Sequence, residues 1–404
     1  MTISLKKLGP GLLFAGAAIG VSHLVQSTRA GANFGFGLVW ALLLVNLFKY
    51  PFFQYGPRYA LATGESLLDG YKKLGKGVLW TYFILSLGTM FTIQTAVTIV
   101  TADIANTLFN GILSREIWTV IILLICSAIL IIGKYNLLDK LMKVIIITLS
   151  IATLLALITA TLNNTTAVDL KQILPKNTLE LSFLIAFMGW MPAPLDISVW
   201  HSLWALEKKK KQKSFKINSA IFDFNIGYIT TIVLGLGFIG LGAMVMFQSG
   251  EPLSVSASDF SNQLISMYTS SLGAETYIII GCAALTTMFS TTLTTLDASP
   301  RSMAKTVELL FKNTSKHLYL TWLSILVIGS ILIFFFLNSE LGFLVQVATV
   351  LSFLTAPFYA LSNYILLSSK HTPKAWQPSI KMHILSVLGI TFLILFSIWY
   401  LTTL

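Results

Sequence analysis

Lys49 stands in the middle of an apolar run, about twelve residues from either end of it and just before Pro51. An ammonium there reaches water at neither end, so it must find an acid or a set of carbonyl oxygens inside the protein. Asp196 is the obvious acidic candidate. It closes a second unusual stretch, Phe187-Met188-Gly189-Trp190-Met191-Pro192-Ala193-Pro194-Leu195-Asp196. It could pair with Lys49, bind a substrate cation, or cap a helix that begins after it by meeting the freed N–H groups. His23 ends a third stretch, Gly16-Ala17-Ala18-Ile19-Gly20-Val21-Ser22-His23. Its imidazole suits a proton carrier near neutral pH, or a hydrogen bond to the carbonyl of an interrupted helix. Arg29 either snorkels to an interface or lines a vestibule. Asp297, followed by Ser299-Pro300-Arg301, reads as a cap or gate at the inner end of its run. Trp190, inside the second stretch, either covers a substrate or packs in the core.

Elements that could position these groups follow from composition. Of 404 residues, 55% are hydrophobic and 11% charged, and the mean hydropathy is +0.80. Soluble domains carry about 25% charged residues, so an all-α integral membrane protein is expected. Apolar runs long enough to cross a bilayer fall at about 9–31, 36–61, 78–100, 117–133, 141–162, 181–203, 219–247, 274–298, 318–337, 341–368 and 382–402, eleven in all. The first and sixth are broken by Gly and Pro. Lipid cannot satisfy the backbone groups such breaks release, so they must face protein or a water-filled cavity. Two breaks, each opening a set of five spans, predict a 5+5 inverted repeat with a binding site between the halves. Repeat one is about 9–162, repeat two about 181–368, and 382–402 is an extra C-terminal helix. The whole chain, 1–404, reads as one transmembrane domain.

Charge sets the expected orientation. With the N-terminus cytoplasmic, the inner segments hold 21 Lys and Arg, among them Lys6, Lys7, Lys134, Lys140, Lys143 and the cluster Lys208 to Lys211; the outer ones hold Arg115, Lys171 and Lys176. The positive-inside rule then puts the C-terminus outside, in a plasma (inner) membrane. The net charge of +11 therefore faces anionic lipid, and no nucleic-acid partner is implied. The start, MTISLKKLGPGLLF, lacks a small-residue cleavage site, so no cleavable signal peptide is expected. Cys126 and Cys282 read as small core residues, and most Trp as interfacial belt residues. The outer loop 248–273, with Glu251 and Asp259, is a candidate gate, and the Thr run 286–295 is helix–helix glue or the lining of an ion path.

The segments GPGLLFAGAAIG…AGANFGFGLVWALLLVNL, LATGESLLDGYKKLGKG, GCAALTTMFSTTLTTLDASPRSMA and VLSFLTAPFYALSNY resemble the Nramp-type divalent-metal transporters. The resemblance implies the LeuT-type fold of the amino acid–polyamine–organocation superfamily. It also implies an Asp-Pro-Gly-Asn break in span one and a Met-Pro-His segment in span six. Here the first motif falls on Gly20-Val21-Ser22-His23, putting Gly20 at the metal-binding Asp and His23 at the Asn. In span six Met191-Pro192 carries over, with Ala193 at the His; anchoring on His201-Ser202 instead sets Asp196 opposite it. The family's Asp-Leu-Ala-Glu stretch falls near Gln94-Thr95-Ala96-Val97, so both acids of the proton route are missing. Glu65 in ATGES matches a family motif as a gating or structural contact. The resemblance further makes Lys49 a stand-in for a coupling cation, within a charge network of Lys49, Arg29, Gln94 and Asp297.

Three function classes remain on these grounds. The first is a secondary transporter, working as a monomer by symport, whose site has been remodelled around Gly20, His23, Met188, Trp190, Met191 and Asp196 for a small solute or a differently hydrated ion. The second is a divalent metal (Mn2+, Fe2+ or Mg2+) transporter with an atypical site, its metal on Met191 and Asp196. The third is a non-transporting sensor or scaffold. An enzyme is not expected, for there are no paired intramembrane carboxylates, no His-x-x-x-His and no nucleotide loop, and no cofactor is implied.

Overall fold

The computed structural model describes residues 9–163, 169–247, 257–337 and 341–403, except the side chains of 133–143, 257–260, 270–272, 341–345 and a few helix ends. Lys6, Lys7 and Glu251 lie outside the described residues, as do the side chains of Lys134, Lys140, Lys143 and Asp259. Every regular element among the described residues is helical. The first run is α1 (Pro10–Ala18), a π-helix (Val21–Ser27) and α2 (Thr28–Phe34). It is followed by α3 (Val39–Thr63), the short α4 (Leu67–Leu74), α5 (Lys76–Leu108) and α6 (Arg115–Asn163). The sixth expected span is α7 (Thr178–Trp190) and α8 (Ile197–Lys211), separated by Met191 to Asp196. Then come α9 (Ile217–Leu241) with a π-helical end (Gly242–Phe247), α10 (Ala257–Leu272), α11 (Tyr277–Phe311), α12 (Leu318–Leu337), α13 (Leu341–Ser368) and α14 (Ile380–Thr403).

Nine stretches among the described residues are long and apolar enough to span a bilayer. α3 falls below that apolarity because Asn46, Lys49, Gln54 and Arg58 interrupt it, and α7 is only 13 residues long. The expected fourth and fifth spans are the stretches Arg115–Ile132 and Val144–Leu162 of a single element, α6. No proline stands between them and Leu, Lys and Met dominate there, so the helical ladder continues through the expected loop.

Burial puts the broken spans at the centre. The window over α1 and α2 is wholly buried, against about a third or less for α12 and α14. α1 is apolar on every side, as a helix enclosed by others must be. Its start is tied to α9: Gly9 and Gly11 donate their N–H groups to Asp223 Oδ1 and Oδ2 at 3.0 and 2.7 Å. A Cβ on Gly11 would lie 2.1 Å from the Asp223 carbonyl oxygen, and one on Gly31 2.2 Å from that of Ile239. Small residues thus let the first broken run and α9 approach backbone to backbone at both ends.

Two expectations fail on packing. Cys282 is exposed on the outside of the bundle, whereas Cys126 is buried; both are free thiols. Asp297 is no helix end, because α11 runs on through Pro300 to Phe311. Part of the outer loop that was a candidate gate is the helix α10.

Candidate functional site

The first break begins where α1 ends at Ala18. The Ala18 carbonyl loses its helical partner and is met by Gly20 N–H at 3.0 Å and by the Ser22 hydroxyl. His23 Nδ1 lies 3.1 Å from the same oxygen and 2.7 Å from Ser22 Oγ, and its Nε2 lies 2.9 Å from the Thr231 carbonyl of α9. His23 is buried and pins the break to α9. Gly20 is filled from outside: a Cβ built on it would sit 2.4 Å from Thr291 Oγ1 and 2.7 Å from its Cγ2. Thr291, on α11, meanwhile donates toward the carbonyls of Gly16 and Ile19 at 3.2 and 3.4 Å. The position that the resemblance gives to a metal-binding carboxylate has no room for one in this structure.

The second break is opened by two prolines. Pro192 has no N–H to offer Met188, nor Pro194 to offer Trp190, and the helix stops. Lys49 supplies a donor to Met188 and to three other carbonyls of the break. Its Nζ lies 2.8 Å from the carbonyl oxygens of both Met188 and Gly189, 3.1 Å from that of Met191 and 3.3 Å from that of Ala193. Lys49 is completely buried. Asp196 follows the break and acts electrostatically on Lys49 without a direct ion pair among the described residues. It does not cap α8 through its side chain, and its Oδ1 is buried with no hydrogen-bond partner. Met191 Sδ accepts from Ser27 Oγ at 3.8 Å, joining the two breaks.

A cavity lies between the breaks, lined by Ala18, Val21 and Ser22 on one side and Trp190, Pro194 and Trp200 on the other, with Thr291 and Thr295 between. It leaves about 20 Å³ for the centre of a water-sized solute, room for about one water. No charged side chain lines it. Trp190 donates through Nε1 to Ser352 Oγ at 2.9 Å, so it is both held by the core and part of the wall.

Other expected residues lie apart. Gln94 is in a seam between α5 and α11: Thr295 Oγ1 donates to its Oε1 at 2.7 Å and its Nε2 donates to Thr98 Oγ1 at 3.1 Å. In the Thr run, Thr291, Thr292 and Thr295 bond to other helices, and Thr291 and Thr295 also reach the cavity. Arg29 is half-buried on α2 and makes contacts of its own. Met188 contributes its carbonyl, with its side chain buried in the core. Asp297 joins Arg301 at 2.6 Å, Tyr319 at 3.1 Å and Trp204 Nε1 at 3.4 Å. Trp204 in turn meets Trp200 edge to face, with ring centroids 6.4 Å apart. This chain of contacts closes the central cavity from a larger one of about 690 Å³ at the end of the bundle that holds Lys210, Arg301 and Glu65. Glu65 accepts there from Lys73 at 2.5 Å and from Tyr59 at 3.2 Å.

Trp200 and Trp204 are the residues that sequence reasoning missed, since they pass for belt residues near a span end. Their spacing of four, on the same helix face as the break, was the available signal. Among the described residues no three His, Cys, Asp or Glu side chains come together as a metal site.

The fold is shared with solved transporters. A manganese transporter of Eremococcus coleocola superposes with a TM-score of 0.75 at 15% identity, over 97% of this chain and 85% of that one. MhsT in complex with L-phenylalanine superposes with a TM-score of 0.68 at 13% identity, over 100% and 98%. At such identities the fold alone is shared, and it is the LeuT-type fold of multi-pass membrane transporters. Sequence gives the family. Residues 11–403 match Nramp, the natural resistance-associated macrophage protein-like family. An uncharacterized protein of Pasteurella multocida is 35% identical over 401 residues, which cover 98% of this chain and 91% of that relative. The chain belongs to the Nramp family.

Proposed function

We propose that this protein is a secondary transporter of the Nramp family whose substrate site has been rebuilt and does not hold a divalent metal in the usual way. The observation that carries this reading is the Lys49 ammonium seated on four carbonyls of the second break. A divalent ion placed there would face a positive charge and find a single carboxylate, Asp196, against two charges of its own. Hard and borderline divalent ions want carboxylate oxygen, and Gly20 brings none. The cavity wall of indoles, one proline and hydroxyls suits a small solute better than a stripped ion. We further read the chain as eleven spans in a 5+5 inverted repeat with breaks in the first and sixth and one extra C-terminal helix. The N-terminus is cytoplasmic, the C-terminus outside, and the membrane is the plasma (inner) membrane. In this frame the closure through Trp200, Trp204, Asp297 and Arg301 faces the cytoplasm. One protomer carries both breaks, so a monomer suffices.

A specific observation supports the second reading, an atypical metal transporter. Asp196 Oδ1 is buried and unpartnered, and Met191 brings a thioether to the same break. The fold is also that of a manganese transporter. Uptake of Mn2+ into liposomes containing the purified protein separates the two. Our reading expects uptake no faster than in empty liposomes. Saturable uptake that is lost in Asp196→Ala and Met191→Ala establishes the metal site instead.

A further inference from the structure

We infer that the seam between α3 and α9 binds the phosphate headgroup of an anionic phospholipid, with Arg58 as the residue that holds it. This site is separate from the two breaks and does not depend on what they carry. The outward strip of α3 changes character along its length. In one half it presents Leu43 and Leu47, 47% and 53% exposed. In the other it presents Tyr50 and Arg58, both half-buried, with Gln54 between them. Their spacing of four stacks the three on one face. Tyr50 donates its hydroxyl to Asn225 Oδ1 of α9 at 2.8 Å, Gln54 Nε2 donates to the Tyr50 hydroxyl at 2.7 Å, and Arg58 donates to Gln54 Oε1 at 3.3 Å. Asn225 shares a face of α9 with the exposed Phe222 and Ile229, so the polar ladder borders lipid on both helices.

Arg58 lacks the partner its depth demands. It stands seven residues beyond Pro51, the middle of α3 (Val39–Thr63). That is roughly 10 Å along the axis, inside the ~15 Å half-thickness of the hydrocarbon. A cation there is costly without an anion. Among the described residues no carboxylate pairs with it, and the ionisable groups that act on it are the phenols of Tyr55 and Tyr50. Of its five N–H donors, one meets Gln54, one meets the Gln377 carbonyl at 3.2 Å, and that of Nε is buried without a partner. Each terminal nitrogen keeps one N–H, and such a planar fork suits two oxygens of a phosphate. The location makes the phosphate a lipid's. Gln377 follows the half-buried Trp376, a belt residue that marks the interface. Lys370, Lys374 and Lys381, around the same loop, draw anionic lipid to that side. Phe222 and Ile229 then meet the acyl chains.

Melting of the full chain in detergent micelles tests this. Phosphatidylglycerol, phosphatidylcholine or inorganic phosphate is titrated against wild type, Arg58→Gln and Lys312→Gln, the last a control for charge in general on the lysine-rich side. Wild type should gain several degrees, saturably, from phosphatidylglycerol and little from the other two. Arg58→Gln should lose at least half of that gain, and Lys312→Gln should keep it. An equal gain in wild type and Arg58→Gln overturns the site, as does a wild-type gain no larger with phosphatidylglycerol than with phosphatidylcholine. Stabilisation by inorganic phosphate equal to that by the lipid means that a soluble anion binds there, and overturns the lipid. A loss in Lys312→Gln as large as in Arg58→Gln reduces the effect to surface charge and overturns the site too. If Arg58→Gln does not fold, Arg58→Lys takes its place. An ammonium cannot make the paired bonds of the fork, so the midpoint of the phosphatidylglycerol titration should at least double, and an unchanged midpoint overturns the site.

Discussion

Substituting Gly20 with alanine places a methyl group where Thr291 already stands. The new Cβ would come 2.4 Å from Thr291 Oγ1, 2.7 Å from Cγ2 and 2.9 Å from Cβ. Ordinary contact begins about 1 Å further out, so one of the two elements must move. Overpacking of this kind costs ~1–3 kcal/mol, and we expect the middle of that range. Thr291→Ala on its own gives up long hydrogen bonds to Gly16 and Ile19, at 3.2 and 3.4 Å. That costs about 1 kcal/mol. Combined, the two should cost less than their sum, because truncating Thr291 removes the two closest clashes; Thr291 Cβ still crowds the methyl, so relief is partial. The expected coupling is ~1–2 kcal/mol, within the range for contacting residues. Unfolding titrations in mixed micelles of wild type, both single variants and the double variant measure it. Additivity within about 0.5 kcal/mol would refute the claim that Thr291 occupies the space of a Gly20 side chain. Gly20→Asp adds a buried carboxylate beside uncharged walls and should not yield folded protein.

Three further outcomes follow from the packing. His201 is buried with both ring nitrogens unpartnered, stacked on Phe14 at 5.8 Å. His201→Leu should therefore leave the melting temperature unchanged or raise it, since an unsatisfied buried polar group costs ~1–3 kcal/mol; a clear drop contradicts this. Asp223→Ala releases two N–H groups at the start of α1 and should destabilise by ~1–2 kcal/mol, read in the same titrations; no change would mean that Asp223 does not hold the helix. Trp204→Ala removes the indole between the two cavities. A cysteine placed at Thr295 should then react faster with a thiol reagent applied from the lysine-rich side, and equal rates would show that Trp204 is no barrier.

Much of this site could be read in the chain because the bilayer limits where backbone and charge can go. Gly20 and the prolines at 192 and 194 mark the breaks, and Lys49 could only face inward. What answers Lys49 could not be read. Asp196 was the obvious partner by charge, yet the ammonium binds carbonyls some 140 positions away in the chain, and carbonyls carry no mark in sequence. His23 was open between proton carrier and backbone contact; its nitrogens meet the Ala18 and Thr231 carbonyls. Asp297 looked like a cap because Pro300 follows, but a proline three residues on does not stop α11 when packed neighbours hold it. Trp200 and Trp204 looked interfacial because only the approach of α11 distinguishes a buried indole from a belt one. Gly20 was legible as an absence of carboxylate, whereas the absence of space came from Thr291, on a helix that no local pattern ties to it.

The central claim is that Lys49 occupies the second break where a metal would otherwise be held. Anomalous diffraction from crystals soaked in Mn2+ tests it most directly, since manganese and a lysine amine cannot share one place. The account predicts no anomalous peak between Met191 and Gly20, with the Lys49 amine within hydrogen-bond reach of the Met188 and Gly189 carbonyls. A manganese peak there, coordinated by Met191 and Asp196 with Lys49 turned away, would contradict it.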